Sequence, residues 1–282
     1  MPDGRLIVAF SDGRLEALDL SKMPSNTVVE KAAGNVLPDP VLFELPNNCF
    51  AYSVKKGVIY IYSSLTLKRI KSIAGDEPVR SIIPISKGRI CVLFHSGSIG
   101  IARCNDCSIQ KIEGAKLKGG YNSIETDELI REISGDRIAL IANRVDSSGT
   151  YNDAIEVRKI GGTRTEFLLS DKGIIKEIVS FTSLSDGRLL AGMKNGGIFV
   201  CDPDEREAHK FVYGHKQMVL GLVPLSGDRL ISASVNGVVK IWNTKTWTCE
   251  QKFEMQSLVR RLIRLSDISA AVVEDNKISI IG

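Results

Sequence analysis

Short apolar runs broken by tight turns recur along the whole chain. The segments RLIVAF, CFAYSV, RICVLF, RIALIA, RLLAGM, RLISAS and ISAAVV each lead into a turn, and RLEAL, VIYIY, SIGIA, AIEVR, GIFVC, VVKIW and KISII leave it. Runs this short, rich in β-branched residues and bounded by turn residues, predict seven β-hairpins. The clearest is centred on Asn236-Gly237, a pair that favours a type I′ turn with positive φ at both central residues. Aligned on Gly13, Gly57, Gly97, Asp153, Gly196, Gly237 and Asn276, the turns are spaced by 44, 40, 56, 43, 41 and 39 residues. A period of this size marks a repeat architecture. The strands are apolar on both faces, so each sheet is expected to be covered on both sides. A parallel sheet between helices would also bury both faces, but the pattern contains no convincing amphipathic helix of about ten residues.

Two further strands flank most hairpins. PVLFEL, PVRSIIPI, LIREIS, IIKEIVSF, MVLGLVPL and LVRRLIRL precede them, and the more polar LKRIKSI, SIQKI, RTEFLL, AHKFVY and CEQKF follow. Mixed polarity suits an outer sheet edge that must resist pairing with other chains. The predicted order is inner, second, third and outer strand. The first unit begins almost at its second strand and the last stops at its third, so an irregular closure is expected: the chain is a piece of a longer one, or a partner strand completes it. The long step is assigned to two insertions, residues 113–128 between an outer and an inner strand, and residues 143–153 widening the fourth hairpin turn. Such loops are either tolerated surface insertions or carriers of function.

Tyr213-Gly214-His215, the strand RLISAS, the Asn236-Gly237 turn and the strand ending Trp242-Asn243 together resemble the WD-repeat family, and weaker copies of the unit extend the resemblance over nearly the whole chain. It implies an all-β fold, a WD-repeat β-propeller of seven blades with four antiparallel strands each, forming one domain over residues 1–282. It also implies a buried hydrogen-bonded network of His215, Ser232 or Ser234, Asn236 and Trp242. Asn236 and Asn243 stand where the family usually has Asp, and a neutral amide bonds histidine more weakly than a carboxylate. The tryptophan position is held elsewhere by Leu18, Tyr62, Ala102, Arg158, Cys201 and Ile281. The network is therefore expected in one blade, with apolar packing in the rest.

The totals narrow the function. Hydrophobic residues make up 43% of 282, a globular composition. No apolar run approaches the ~18 residues of a membrane helix, and the N-terminus lacks the charged and apolar regions of a signal peptide. A formal net charge of +4 is too small to argue for nucleic acid, and exposed aromatics interleaved with basic residues are absent. Six cysteines, four falling singly in or beside strands, suit buried reduced thiols and a cytoplasmic or nuclear setting. Cys104 and Cys107 have ligand spacing, but no second pair or nearby histidine completes a zinc site. No phosphate-binding loop, dinucleotide fingerprint, nucleophile elbow or zinc-protease motif occurs. Neither an enzyme, nor a cofactor, nor a metal is expected.

The informative pattern is basic. When the inner strands are aligned on Val79, Ile130, Ile175, Val219 and Val259, the next residues are Arg80, Arg131, Lys176, Leu220 and Arg260. Lys55, His95 and Lys194 precede hairpin turns, and Arg144 falls in the fourth. In the family's architecture these positions lie around the top mouth of the channel. Clustered guanidinium groups suit phosphate or paired carboxylates, and WD-repeat substrate receptors of the F-box type place arginine after the opening valine of an inner strand to grip a phosphorylated segment. The expected ligand is an acidic or phosphorylated peptide held by Arg80, Arg131, Lys176 and Arg260, supported by His95, Arg144 and Lys194. Acids share the rim, at Asp76-Glu77, Asp127-Glu128 and Asp171, and could neutralise it instead. A non-catalytic scaffold that binds proteins is the primary function. The alternative is an architectural subunit held in a larger complex through its sides or its open terminal blade.

Overall fold

In a computed structural model of the chain, the structure describes residues 5–9, 15–19, 41–45, 48–53, 58–103, 109–112, 130–134, 136–145, 151–160, 162, 165–169, 177–205, 209–275 and 277–282. The chain divides into two compact units, residues 1–116 and 117–282. Every described element is a β-strand, and the strands pair antiparallel in sequence order.

In the first unit, β1 (Arg5–Ala9) and β2 (Leu15–Asp19) form a two-stranded sheet. β3 (Val41–Leu45), β4 (Cys49–Ser53), β5 (Ile59–Ser63) and β6 (Arg69–Ile73) form a four-stranded one, as do β7 (Val79–Ile85), β8 (Arg89–Phe94), β9 (Ile99–Arg103) and β10 (Ile109–Ile112). The second unit holds three more four-stranded sheets. These are β11 (Ile130–Ile133) to β14 (Thr165–Leu169) by way of β12 (Arg137–Val145) and β13 (Tyr151–Lys159), β15 (Ile178–Ser183) to β18 (His209–Tyr213) by way of β16 (Leu189–Met193) and β17 (Gly197–Cys201), and β19 (Val219–Leu225) to β22 (Cys249–Glu254) by way of β20 (Arg229–Ser234) and β21 (Val238–Asn243). A three-stranded sheet of β23 (Val259–Arg264), β24 (Ala270–Glu274) and β25 (Ile278–Ile281) follows. We number the sheets one to seven in this order.

The double-sided apolar pattern has the expected consequence. β8, β16 and β17 are buried at every residue, whereas β6 and β22 are mostly exposed. Within each unit, neighbouring sheets pack face to face. Ile59 and Ile61 of the second sheet meet Val79, Ile82 and Val92 of the third. In the second unit, Val239 and Ile241 of the sixth sheet lie under Val259, Leu262, Ala270 and Val272 of the seventh.

The ladders place Tyr62, Ala102, Arg158, Cys201, Trp242 and Ile281 opposite equivalent residues of their second strands, as the alignment predicts. Four expectations need correction. The hairpin turns at Gly97, Gly196 and Gly237 have φ of +83°, +89° and +87° with no positive φ at the residue before, and each glycine N–H donates to the carbonyl three residues back. They are therefore three-residue loops closed by a left-handed glycine, not type I′ turns. Residues 143–153 are not a widened turn. β12 and β13 pair continuously out to Val145↔Tyr151, so Arg144 sits in a strand opposite Asn152.

The fifth inner strand begins at Ile178, not Ile175. A register shift between Val79 and Ser81 recurs between Ile178 and Ser180, Val219 and Gly221, and Val259 and Arg261, so Val179 takes the place assigned to Lys176. Arg131 is also offset. Ile133 pairs with Arg137 as Ile85 pairs with Arg89, which aligns Arg131 with Ile83, about 10 Å further along the strand than Arg80 at a rise of ~3.3 Å per residue. Only Arg80 and Arg260 keep the predicted register. Residues 113–128, Lys55, Cys104, Cys107, Asp171 and Lys176 lie outside the described residues.

Candidate functional site

The sixth sheet carries a three-membered polar network. His215 Nε2 lies 2.6 Å from Ser232 Oγ, and Trp242 Nε1 donates to the same oxygen at 2.7 Å. Ser232 is therefore the network serine; Ser234 bonds the Gln217 carbonyl at 3.0 Å instead. Gly214 is needed beside it, because a Cβ there would stand 2.3 Å from Cη2 of the buried Trp242. Asn236 does not close the network. Its Oδ1 accepts from Val238 N at 3.4 Å, and His215 Nδ1 is buried without a partner. Burial, reinforced by Lys240, pushes the imidazole down to about 4, so His215 is neutral near pH 7 and serves packing.

The fourth sheet solves the same position differently. Arg158 stands where the sixth has Trp242, and its Nε donates to Glu156 Oε2 at 3.0 Å, with both side chains fully enclosed. Apolar packing alone thus does not replace the network there. Cys91 and Cys201 are also enclosed, and burial pushes both thiols up to about 12, which keeps them unreactive near neutral pH.

The predicted cationic residues meet different fates. The backbone N–H of His95 donates to Pro78 O at 3.0 Å, just as Lys194 donates to Glu177 O and Val235 to Met218 O. Hairpin turns and inner-strand openings therefore share one end of each sheet, and Arg80 and His95 are brought together. Arg80 is half-buried, His95 is exposed, and neither side chain has a hydrogen bond or ion pair among the described residues. The nearby acids are engaged elsewhere. Lys111 Nζ holds Glu77 at 2.5 Å and Asp76 at 3.0 Å, and Ser96 and Ser98 also bond Glu77. Lys111 and then Ser96 hold Glu77 below the usual carboxylate range. In the second unit, Arg260 Nε meets Asp275 at 2.5 Å and Lys194 Nζ meets Glu177 at 2.5 Å, all four side chains well exposed. Arg131 turns onto its own strand, donating to Ile130 O at 2.7 Å. The side chain of Arg144 lies outside the described residues.

At the opposite end of the sheets lies a feature that the sequence reading missed. A cleft of about 520 Å³ opens in the second unit, lined by the turns between inner and second strands of the fifth, sixth and seventh sheets. Its walls include Leu184, Pro224, Arg229, Arg264 and the aspartates Asp186, Asp228 and Asp267. The signal for it was the arginine that opens five of the seven second-strand segments in the sequence.

No protein-family profile and no curated sequence matches the chain. Solved structures do. The computationally designed Ika8 protein superposes with a TM-score of 0.69 at 16% identity, over 99% of this chain and 80% of its own. The C-terminal WD40 domain of Sif2 gives 0.62 at 16% identity, over 84% of this chain and 64% of that one. The fold is that of a WD40 β-propeller. Raptor from Chaetomium thermophilum gives 0.61 at 16% identity, over 86% of this chain and 23% of that one. The chain spans less than two thirds of the Sif2 and Raptor chains that it matches.

As blades of a WD40 propeller, the sheets each have two ends: the hairpin ends bear Arg80 and His95 in the first unit and Lys194 and Arg260 in the second, and the other ends of the fifth, sixth and seventh sheets bear Arg229 and its cleft. The blade interiors are taken up by aliphatic packing, the His215–Ser232–Trp242 network and the Glu156–Arg158 pair.

Proposed function

We propose that this WD40 propeller is a non-catalytic platform for binding other proteins, and that the end of its third sheet bearing Arg80 and His95 receives an acidic or phosphorylated segment. The observation that carries the reading is Arg80: a half-buried guanidinium at the strand opening whose neighbouring acids, Asp76 and Glu77, are already held by Lys111. A guanidinium without a counter-ion is free to give two parallel charge-assisted hydrogen bonds to a phosphate or carboxylate. In the second unit, the exposed pairs of Arg260 and Lys194, worth only about 0.2–1 kcal/mol each, can open to an acidic group there. Pull-downs from cell extract with wild type, Arg80→Glu and Arg260→Glu, each with and without phosphatase treatment, test this. Partners lost from Arg80→Glu and after phosphatase support phosphate recognition; partners lost from Arg80→Glu alone support an acidic segment. Partners unaffected by Arg80→Glu remove the reading.

A specific observation favours a second reading, docking into a larger assembly through the seventh sheet. Ile278 and Ile280 are 67% and 71% exposed, whereas Val239 and Ile241, at the same register in the sixth sheet, are 0% and 1% exposed beneath the seventh. The occupant that fits is an aliphatic β-sheet face. Substituting Ser for both isoleucines releases such a partner and leaves Arg80-dependent partners in place; retention of every partner rules this reading out.

A further inference from the structure

Four sheets enter their second strand through the same motif, Ser-x-x-Arg: Ser86–Arg89, Ser134–Arg137, Ser185–Arg188 and Ser226–Arg229. In the first two, the guanidinium folds back on its own serine. Arg89 Nε donates to Ser86 O at 3.1 Å and Nη2 to Ser86 Oγ at 3.4 Å, and Arg137 repeats this on Ser134 at 2.9 and 3.4 Å. Arg188 binds Asp186 at 2.6 Å and crosses to the Thr244 carbonyl at 3.0 Å. Arg229 is the exception. It is half-buried in the wall of the cleft and makes no hydrogen bond or ion pair among the described residues.

The other ionic groups around the cleft are matched. Asp186 is held by Arg188, Asp228 by Lys245 at 2.7 Å, and Asp267 by Arg264 at 2.5 Å. These three pairs are each neutral, so among the described residues the single charge left facing the cavity is the Arg229 guanidinium. A partly desolvated guanidinium with its fork of donors unused favours a carboxylate, which accepts two of them at once. One positive charge in the lining is neutralised by a singly charged carboxylate, whereas a doubly charged phosphate leaves one negative charge uncompensated. Leu184, Pro224 and Leu225 supply an apolar wall for an aliphatic stem, and the hydroxyls of Ser185 and Ser226 have no partner among the described residues. A volume of about 520 Å³ lies within the usual range for ligand pockets.

We propose that this cleft is a carboxylate subsite, anchored by Arg229, which takes the Asp or Glu side chain of a protein partner at the end of the sheets opposite their hairpin turns. The proposal is independent of the reading at Arg80. The test is NMR titration of the Arg229 Nε–Hε signal with N-acetyl-glutamate amide, with the glutamine and phosphoserine analogues as comparisons and the exposed Arg103 as an internal control. The Arg229 signal shifts saturably with the glutamate probe, and the glutamine probe binds roughly tenfold or more weakly, the factor expected for losing one charge-assisted interaction of about 1.5 kcal/mol. Arg229→Lys keeps the fold and weakens binding, Arg229→Gln abolishes it, and Arg80→Glu leaves it unchanged. An unmoved Arg229 signal, equal shifts with glutamine, equal shifts at Arg103, or tighter binding of phosphoserine would each overturn it.

Discussion

The fourth and sixth sheets place different chemistry at one register position. In the sixth, Trp242 shares the Ser232 hydroxyl with His215, a neutral network that leaves one ring nitrogen unpartnered. In the fourth, Arg158 faces Glu156 two residues away on the same strand face, and a full ion pair is enclosed. The contrast teaches that the repeat constrains burial at this position more tightly than polarity or volume, since Ala102 and Cys201 are buried there too. A ring that fills space and a charge-paired arginine both serve, provided that their polar atoms find partners. The two solutions should fail differently.

The largest effect is expected from Glu156→Ala, which takes the carboxylate away from a buried guanidinium; a loss of about 3–5 kcal/mol follows, measured by urea unfolding. Replacing both members, Glu156→Leu with Arg158→Met, recovers most of it, because an apolar pair of similar size needs no partner. If the double variant is as unstable as the single one, the charges matter for more than each other.

The neutral network is sensitive to acid instead. The folded pKa of His215 is about 4, below its ordinary value of 6.5, so the unfolded chain binds more protons between these values. The stabilising contribution is fully present above pH 6.5 and is lost as pH falls toward 4. The total is on the order of 3 kcal/mol. Stability curves of wild type and His215→Gln over pH 4–7 check this, and the variant should lose that part of the slope.

Ser232→Ala removes the shared oxygen and leaves Trp242 Nε1 and His215 Nε2 buried without it. A loss of about 2 kcal/mol is expected, with a change in tryptophan fluorescence that Ser234→Ala does not produce. The smallest effect is a gain. Asn236→Asp supplies the carboxylate that His215 Nδ1 lacks, adding about 1 kcal/mol and raising the histidine pKa in an NMR titration. An unchanged pKa would mean that the turn cannot bring residue 236 within reach.

Much of this was legible in the sequence. Period, strand order and third-strand register followed from where apolar runs meet turn residues, and six tryptophan-equivalent positions pair as aligned. The candidate site was less legible. The alignment of Arg80, Arg131, Lys176 and Arg260 needed the first residue of each inner strand, and that lies inside an apolar run. Ladder pairing sets it, including the shift after Val79, Ile178, Val219 and Val259, and a run such as IIKEIVSF offers several equally apolar starts. Arg144 was misplaced because a nine-residue strand that continues through Asn143 and Arg144 carries the polar composition of a turn.

The sequence alone determined the repeated all-β unit, because alternation of apolar runs and turn residues acts locally and needs no partner. Only the tertiary structure decided which cations are available. The same Ser-x-x-Arg motif gives an arginine bonded to its own serine at Arg89 and Arg137, the latter also held by Asp204, and at Arg229 one that is unpartnered among the described residues. Likewise, among the described residues an arginine at the strand opening is paired at Arg260 and open at Arg80. Counter-ions such as Asp275, Glu177 and Lys111 come from turns and strands distant in sequence, and a charge is neutralised by what stands within a few ångströms, not by what stands beside it in the chain.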